Sequence, residues 1–269
     1  MPKQRLDTLL VDLKLCTSRQ KAQRLIRAGE VKVNQQLVDK PGTEVNTSAN
    51  IELKKKPPYV SRGGEKLAKA LQEFDIKVKN RLCLDGGIST GGFSDCLLKK
   101  GAKRVYGIDV GYGQVAWSLR QDERLILKER TNLRHLTYSE LYGSQPPADL
   151  GVVDVSFISL TKVLPALSNL LFAPKELVLL VKPQFEVGRS QVGKKGVVRD
   201  PQDHATAIWQ VLQAAQQLNW QYQGLTWSPI TGPAGNIEYL LWLSLTPPKD
   251  TPDLTEVKKL TVLSVANLK

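Results

Sequence analysis

The feature that most constrains the fold of this 269-residue chain is a series of short apolar runs that begins at residue 82. Each run is rich in Val, Ile and Leu, and segments with helical spacing separate one run from the next. This alternation is typical of parallel strands buried on both faces of an α/β sheet. The predicted strands are 82–84, 105–108, 150–155 and 177–181, and the predicted helices are 93–100, 160–171 and 204–218.

Two later apolar runs, 221–227 and 238–245, are joined by turns that contain Pro and Gly, and they can pair antiparallel. The sequence therefore predicts a doubly wound, Rossmann-like sheet with an antiparallel edge strand, in a domain that spans residues 59–246. Prolines after residue 246 indicate a linker to a C-terminal tail, 247–269, with one weakly amphipathic helix and no indicated role.

The first 58 residues have a different pattern, that of a small α+β domain. Leucines at positions 6, 9, 10 and 13 share one helical stripe, and Ser18 is a good N-cap for a second helix that ends at Gly29. The strand Val31–Val33 follows. A run of three lysines and two prolines, residues 54–58, predicts a stiff, charged connection to the next domain.

Charge is the unusual part of the composition, with 38 Lys and Arg against 26 Asp and Glu. Residues 1–58 contain 12 of these basic residues and 6 of the acidic ones, so half of the net charge of +12 lies in about a fifth of the chain. Basic side chains that contact phosphates release counterions, which favours a nucleic-acid partner for this region. A merely basic enzyme is the alternative.

Other functional classes receive no support from the sequence. The three cysteines have neither zinc-site nor disulfide spacing, the two histidines are isolated, and we predict no metal. No stretch reaches the roughly 18 apolar residues of a membrane span, and the N-terminus has no apolar signal core. We expect a cytoplasmic protein with no membrane partner. The oligomeric state is not indicated.

The first predicted strand ends in a glycine-rich turn, which lets backbone N–H groups approach a ligand at the carboxyl edge of the sheet. The turn is neither a P-loop nor a clean GxGxxG pattern. Its first residue is an acid, which suits the cationic amino-acid group of S-adenosylmethionine and favours a methyltransferase over a dehydrogenase. The predicted cofactor contacts in the turn are Asp85, Gly86, Gly87, Ser89, Thr90, Gly91, Gly92 and Phe93.

Two residues beyond the turn complete the predicted cofactor site. Asp109 lies 24 residues after Asp85, at the end of the second strand, where a carboxylate can accept hydrogen bonds from ribose hydroxyls. Asn132 is placed near the adenine. A sharp turn without any ligand is the alternative.

Three charged residues lie at the ends of buried strands, because Asp154 and Lys182 end two parallel strands and Glu238 begins the last one. If the last strand is antiparallel, all three meet at the same edge of the sheet, beside the cofactor turn. Lys66, in the segment that leads into the first helix of the domain, could cover the same crevice. Taken singly, a charged residue of this kind is usually a solvated charge, although Lys182 at the end of the buried run 177–181 is costly unless it is paired.

The order of motifs then resembles a known family. Segments 59–66, 107–114, 154–160, 181–186, 196–200 and 232–238 match, in order, the TlyA (hemolysin A) family. Residues 3–56 resemble the small RNA-binding domain named after a ribosomal small-subunit protein. The resemblance implies an FtsJ-like methyltransferase that uses S-adenosylmethionine to modify cytidine 2′-hydroxyls of ribosomal RNA, as naked RNA or in ribosomal subunits.

The family's Lys-Asp-Lys-Glu tetrad falls on Lys66, Asp154, Lys182 and Glu238. We expect Lys182 to act as the base, held by Asp154 and Glu238, with Lys66 positioning the substrate. The expected RNA contacts are Arg5, Arg19, Lys21, Arg24, Arg27 and Arg62.

Three alternatives belong to other classes. A ribosome-assembly factor could bind RNA without catalysis, although a decayed site should have lost a member of the tetrad. A pore-forming haemolysin finds no apolar segment to build a pore. A pseudouridine synthase would share the RNA-binding domain but should lack a methyl-donor crevice.

Overall fold

A computed structural model describes residues 2–54, 57–247 and 250–268 of the chain. Lys55, Lys56 and Pro248, which belong to the two predicted linkers, lie outside the described residues. The chain divides into two compact units, Met1–Pro57 and Pro58–Lys269.

The first unit is a small α+β unit built around a leucine-rich core. Ser18 caps its second helix by accepting a hydrogen bond from the backbone N–H of Lys21 at 3.3 Å. Leu6, Leu10 and Ile26 are fully buried between the helices and the strands. The elements are β1 (Lys3–Arg5), α1 (Leu6–Asp12), α2 (Arg19–Arg27), β2 (Val31–Val33), β3 (Gln36–Leu37), β4 (Glu44–Asn46) and β5 (Ile51–Leu53).

The second unit contains a seven-stranded sheet. Its helices are α3 (Gly63–Glu73), α4 (Gly92–Lys99), α5 (Trp117–Arg120), α6 (Tyr138–Tyr142), α7 (Leu164–Leu170), α8 (Pro183–Glu186), α9 (Pro201–Gln216) and α10 (Leu254–Asn267). Its strands are β6 (Leu82–Gly86), β7 (Arg104–Ile108), β8 (Leu125–Lys128), β9 (Leu150–Val153), β10 (Glu176–Val181), β11 (Gln221–Trp227) and β12 (Tyr239–Ser244). Short 3₁₀ turns occur at Leu133–His135, Leu160–Lys162, Arg189–Gln191 and Lys194–Gly196.

The sheet has the strand order β11-β12-β10-β9-β6-β7-β8. Strands β6 to β10 are parallel to one another, whereas β12 pairs antiparallel with both β10 and β11. Alternate residues of β6 point to opposite faces, so Cys83 packs with α3 and α4 while Leu84 packs with α7 and α9. The predicted doubly wound α/β sheet with antiparallel pairing at one edge is confirmed.

Two sequence predictions differ from the structure. The sequence identifies no strand between residues 109 and 149, yet β8 forms the far edge of the sheet, where all four of its residues are only partly buried. The single helix predicted over 160–171 is wrong, because Leu160–Lys162 is a separate 3₁₀ turn and α7 starts at Leu164. Pro165 favours that new start, since a proline fits the first turn of a helix and disrupts its interior.

The C-terminal helix α10 belongs to the second unit and packs against α9. A capping box between Asp253 and Glu256 fixes its start, and the Thr261 hydroxyl donates to the carbonyl of Pro201 at 2.9 Å, at the start of α9. Val257 is almost completely buried there. In the part of the chain that the structure describes, no helix combines the length and apolar character needed to cross a membrane.

Candidate active site

The glycine-rich turn between β6 and α4 brings the starts of two helices together. Gly91 precedes α4 with φ +100°, a conformation that L side chains rarely adopt. A Cβ on Gly92 would lie 2.3 Å from Ser61 Oγ and 2.8 Å from the backbone nitrogen of Gly64. Only a glycine at position 92 therefore allows α4 to begin so close to the start of α3.

A first cavity of about 320 Å³ opens beside this turn and contains four of the predicted cofactor residues, Gly87, Ser89, Asp109 and Asn132. The two oxygens of Asp109 accept the backbone N–H groups of Ser89 and Gly111, each at 2.7 Å. The carboxylate thus ties the glycine turn to the loop after β7. Apolar side chains, among them Leu133 and Val155, line the remaining walls.

A second cavity of about 200 Å³ adjoins the first, and the two share Gly87, Ser89 and Asp154 as lining residues. It brings a candidate catalytic residue, a candidate RNA contact and three turn residues to one place. Those five residues are Lys66, Arg62, Thr90, Gly92 and Phe93.

Asp85, Gly86 and Gly91 are absent from the lining of both cavities in the described part of the chain. The Asp85 side chain is fully buried beneath the turn, where it accepts a 2.6 Å hydrogen bond from Ser94 Oγ. Burial raises the pKa of Asp85 to about 7, because this hydrogen bond does not offset the loss of solvent. A direct contact between Asp85 and a cofactor stays a prediction.

The four tetrad residues form two separate ion pairs. Lys182 Nζ lies 2.6 Å from Asp154 Oδ1, and Lys66 Nζ lies 2.5 Å from Glu238 Oε2. Lys182 also donates a 2.9 Å hydrogen bond to Ser156 Oγ. The expectation that Glu238 would hold Lys182 therefore needs correction, since the structure shows it bound to Lys66.

The sheet topology explains why these residues meet. Asp154 follows the parallel strand β9 and Lys182 follows its neighbour β10. Val181 faces Tyr239 in the antiparallel pairing of β10 with β12, which places Glu238 at the same edge. Lys66 lies on α3 itself, in its first turns, and not in the segment before the helix as the sequence predicts.

Ser156 is a site residue that sequence reasoning missed. It lines the first cavity and contacts the amine of Lys182. The predicted strand 150–155 ends one residue before it, whereas the strand in the structure ends at Val153. The signals that the sequence offers are its position two residues after Asp154 and its place in the segment 154–160 that resembles the family.

The candidate RNA contacts of the first unit fall into two groups. Arg5 and Arg19 both bind the fully buried carboxylate of Asp7, at 3.0 Å. Hydrogen bonding to the Arg5 guanidinium holds the pKa of Asp7 well below its usual range. Three further cations lie exposed on α2, namely Lys21, Arg24 and Arg27.

Comparison with known proteins gives matches along most of the chain. Residues 59–245 match the FtsJ-like methyltransferase family, and residues 4–51 match the S4 domain. The 16S/23S rRNA (cytidine-2′-O)-methyltransferase TlyA of Mycobacterium tuberculosis is 48% identical over 89% of each chain. Hemolysin A of Brachyspira hyodysenteriae is 43% identical, over 83% of this chain and 92% of its own.

A solved structure shows similarity over nearly the whole length. It is described as that of a candidate hemolysin from Streptococcus thermophilus, with 40% identity and a TM-score of 0.73. The match covers 98% of this chain and 96% of that one. Both units of the fold are therefore included in the match.

Proposed function

Because the chain belongs to the FtsJ-like methyltransferase family and carries an S4 domain, we propose that it methylates a ribose 2′-hydroxyl of ribosomal RNA with S-adenosylmethionine. The resemblance to the TlyA family is confirmed by relatives that carry the names TlyA and hemolysin A. The observation that carries the proposal is the pair of buried Lys–carboxylate contacts beside the cavities. The TlyA relative acts on cytidine by its name, and we propose the same nucleotide here.

The two adjoining cavities fit S-adenosylmethionine by their chemistry. Asp109 offers carboxylate oxygens for ribose hydroxyls, and the apolar walls around Leu133 suit a purine. The starts of α3 and α4 face the second cavity, where backbone N–H groups favour a carboxylate. When bound, the cofactor supplies an electrophilic methyl group.

Lys182 is the residue we propose as the base. In its neutral form its Nζ accepts the proton of the ribose 2′-hydroxyl, which otherwise is a poor nucleophile. Asp154 and Ser156 fix the position of this amine, since both contact Nζ. A general base placed in this way typically contributes a rate factor of about 10²–10⁴.

The Lys66–Glu238 pair has a positioning role in this proposal. Both side chains are more than nine-tenths buried and bind each other, so neither is available as a mobile charge. Lys66 and Asp154 both line the second cavity. The ammonium of Lys66 therefore belongs to the same cavity as the carboxylate that binds the proposed base, Lys182. There it can donate a hydrogen bond to the acceptor ribose.

The domain roles follow the same proposal. Residues 1–58 grip ribosomal RNA through the exposed cations of α2, and residues 59–246 carry out methyl transfer. The tail beyond residue 246 contributes α10, which packs on α9 through Thr261.

Radiolabelled methyl transfer to purified ribosomal subunits tests the proposal. The wild-type protein should label 2′-hydroxyls in ribosomal RNA. Lys182→Ala should lower the rate about 10³-fold, because it removes the base. Its affinity for S-adenosylhomocysteine, measured by calorimetry, should stay within about twofold, since Lys182 does not line the first cavity.

Two results would contradict the proposal. Full activity in Lys182→Ala would exclude this lysine as the base. Tight binding of S-adenosylhomocysteine without label in either subunit would favour a ribosome-assembly factor that binds RNA without methylating it.

A further inference from the structure

Glu186, at the end of α8, is a partly buried carboxylate that the proposed chemistry does not use. Its Oε2 accepts a 2.5 Å hydrogen bond from Ser159 Oγ, and its Oε1 accepts the backbone N–H of Leu160 at 2.8 Å. Burial raises the pKa of this carboxyl against the opposing effect of both hydrogen bonds. A shielded carboxylate that binds two neutral donors costs stability, so it calls for a role beyond packing.

The segment that Glu186 holds, residues 154–163, is a main wall of the first cavity. It supplies six of the fifteen lining residues: Asp154, Val155, Ser156, Phe157, Ile158 and Val163. Two of the six, Asp154 and Ser156, also contact Lys182 Nζ. The wall of the cavity and the partners of the proposed base are therefore one piece of chain.

This wall segment contains a conformation that needs external support. Phe157 has φ +64°, which bulky residues rarely adopt, and the residue is 92% exposed, so burial does not stabilise it. Its ring packs against Phe185, with 5.2 Å between the centroids. Glu186 fixes the chain two and three residues further on, at Ser159 and Leu160.

Phe185 and Glu186, which support the wall segment, lie on the same short stretch of chain as the proposed base. Lys182 is the N-cap of α8, Phe185 is in its single turn, and Glu186 ends it. A shift of the wall segment relative to α8 would therefore change two things at once. The first is the shape of the cavity, and the second is the contact of Lys182 with Asp154 and Ser156.

We infer that Glu186 is a positioning residue that fixes the wall segment 154–163 against α8, and thereby sets both the cofactor cavity and the partners of Lys182. The inference rests on the proposed function for its catalytic part. Its structural part, the shape of the cavity, can be tested by ligand binding alone.

Glu140 offers a closely matched control in the same unit. Its carboxylate also accepts one backbone N–H and one hydroxyl, both from Thr137, at 2.9 and 2.6 Å. It belongs to the capping box of α6 and is exposed, and neither cavity has it as a lining residue in the described part of the chain. Glu140→Ala therefore removes the same chemical contacts at a distance from the site.

The experiment compares Glu186→Ala, Glu186→Gln and Glu140→Ala by calorimetry with S-adenosylhomocysteine and by single-turnover methyl transfer to ribosomal subunits. Glu186→Ala should weaken ligand binding and slow methyl transfer, each by about tenfold, because small misplacements of reacting groups are costly. Glu186→Gln should stay within about threefold of wild type, since its amide can still accept from Leu160 and bond to Ser159. Glu140→Ala should change neither quantity.

A double-mutant cycle identifies the contact. Ser159→Ala should produce part of the loss, and adding it to Glu186→Ala should produce little more. Unchanged binding and methyl transfer in Glu186→Ala, with only a lower melting temperature, would overturn the inference. Failure of the wild-type protein to methylate ribosomal RNA would instead reject the proposed function, while the binding comparison would still decide the role of Glu186.

Discussion

The two units of the chain each bury an aspartate completely, and they do so with opposite results. Asp7 in the first unit binds two arginines, and its pKa falls well below the usual range. Asp85 in the second unit has the hydroxyl of Ser94 as its donor, and its pKa rises to about 7. The two arginines lower the pKa of Asp7, whereas for Asp85 the loss of solvent outweighs the hydrogen bond from Ser94.

The basic residues of the two units differ in the same way. On α2 of the first unit, Lys21, Arg24 and Arg27 are exposed and can meet phosphates without losing an internal partner. In the second unit, Lys66 and Lys182 are each only 8% exposed and each binds a carboxylate. The first arrangement suits recognition of a polyanion, whereas the second suits an amine that must hold a fixed position, as the proposed chemistry requires.

Removing a partner from a buried lysine should therefore have a larger effect than removing exposed cations. We expect Glu238→Gln to lower single-turnover methyl transfer about 10²-fold, because Lys66 loses its carboxylate and its fixed position. The affinity for S-adenosylhomocysteine should change less than threefold. A rate within twofold of wild type would show that the Lys66–Glu238 pair is only structural.

The exposed cations should act on the RNA alone. Replacing Lys21, Arg24 and Arg27 together by Ala should raise the KM for ribosomal subunits about tenfold, while the maximal rate and cofactor affinity stay unchanged. The salt dependence of RNA binding should also become shallower, by a slope of about 2 for three lost phosphate contacts. Lys259→Ala, an exposed lysine on α10, is the control. An unchanged KM and an unchanged slope would show that α2 does not contact the RNA.

The last comparison concerns stability and not rate, because the titration of Asp85 should change the free energy of unfolding. Its pKa is 3.8 in the unfolded chain and about 7 in the folded one, so between these values the folded state holds a proton that the unfolded state has lost. Stability should therefore fall as the pH rises from about 4 to 7 and level off above that. Asp85→Asn should abolish this decline. Urea unfolding at pH 5 and at pH 8, followed by a spectroscopic signal from the second unit, can check this. An equal decline in the variant would assign the effect to another group.

The sequence predicts the backbone elements of this molecule better than its side-chain contacts. Periodicity and turn residues identify most strands, and the antiparallel direction of β12 is enough to bring Glu238 beside Asp154 and Lys182. The pairing of carboxylates with lysines depends on side-chain positions in elements that are distant in sequence. The sequence therefore predicts a contact of Glu238 with Lys182, whereas in the structure Glu238 binds Lys66. The edge strand β8 is not among the predicted strands, although Leu125, Ile126 and Leu127 form an apolar run as long as that of 82–84.

Contacts that join neutral donors to a carboxylate leave even less trace in the sequence. Glu186 follows the motif residues Lys182 and Pro183, yet nothing in the spacing indicates that it binds Ser159 and Leu160. Asp7 likewise looks like a surface acid at a helix start until the fold brings Arg19 to it. Such residues become visible only once the chain is folded.

The most direct test of the central claim, that the Lys182–Asp154 pair serves ribose methylation of ribosomal RNA, is a map of 2′-O-methyl groups in cells. Ribosomal RNA would be compared from cells without the gene and from the same cells carrying either wild type or Lys182→Ala. We expect at least one methylated ribose that disappears without the gene, returns with wild type and stays absent with the variant. An unchanged map, or one restored by the variant, would contradict it.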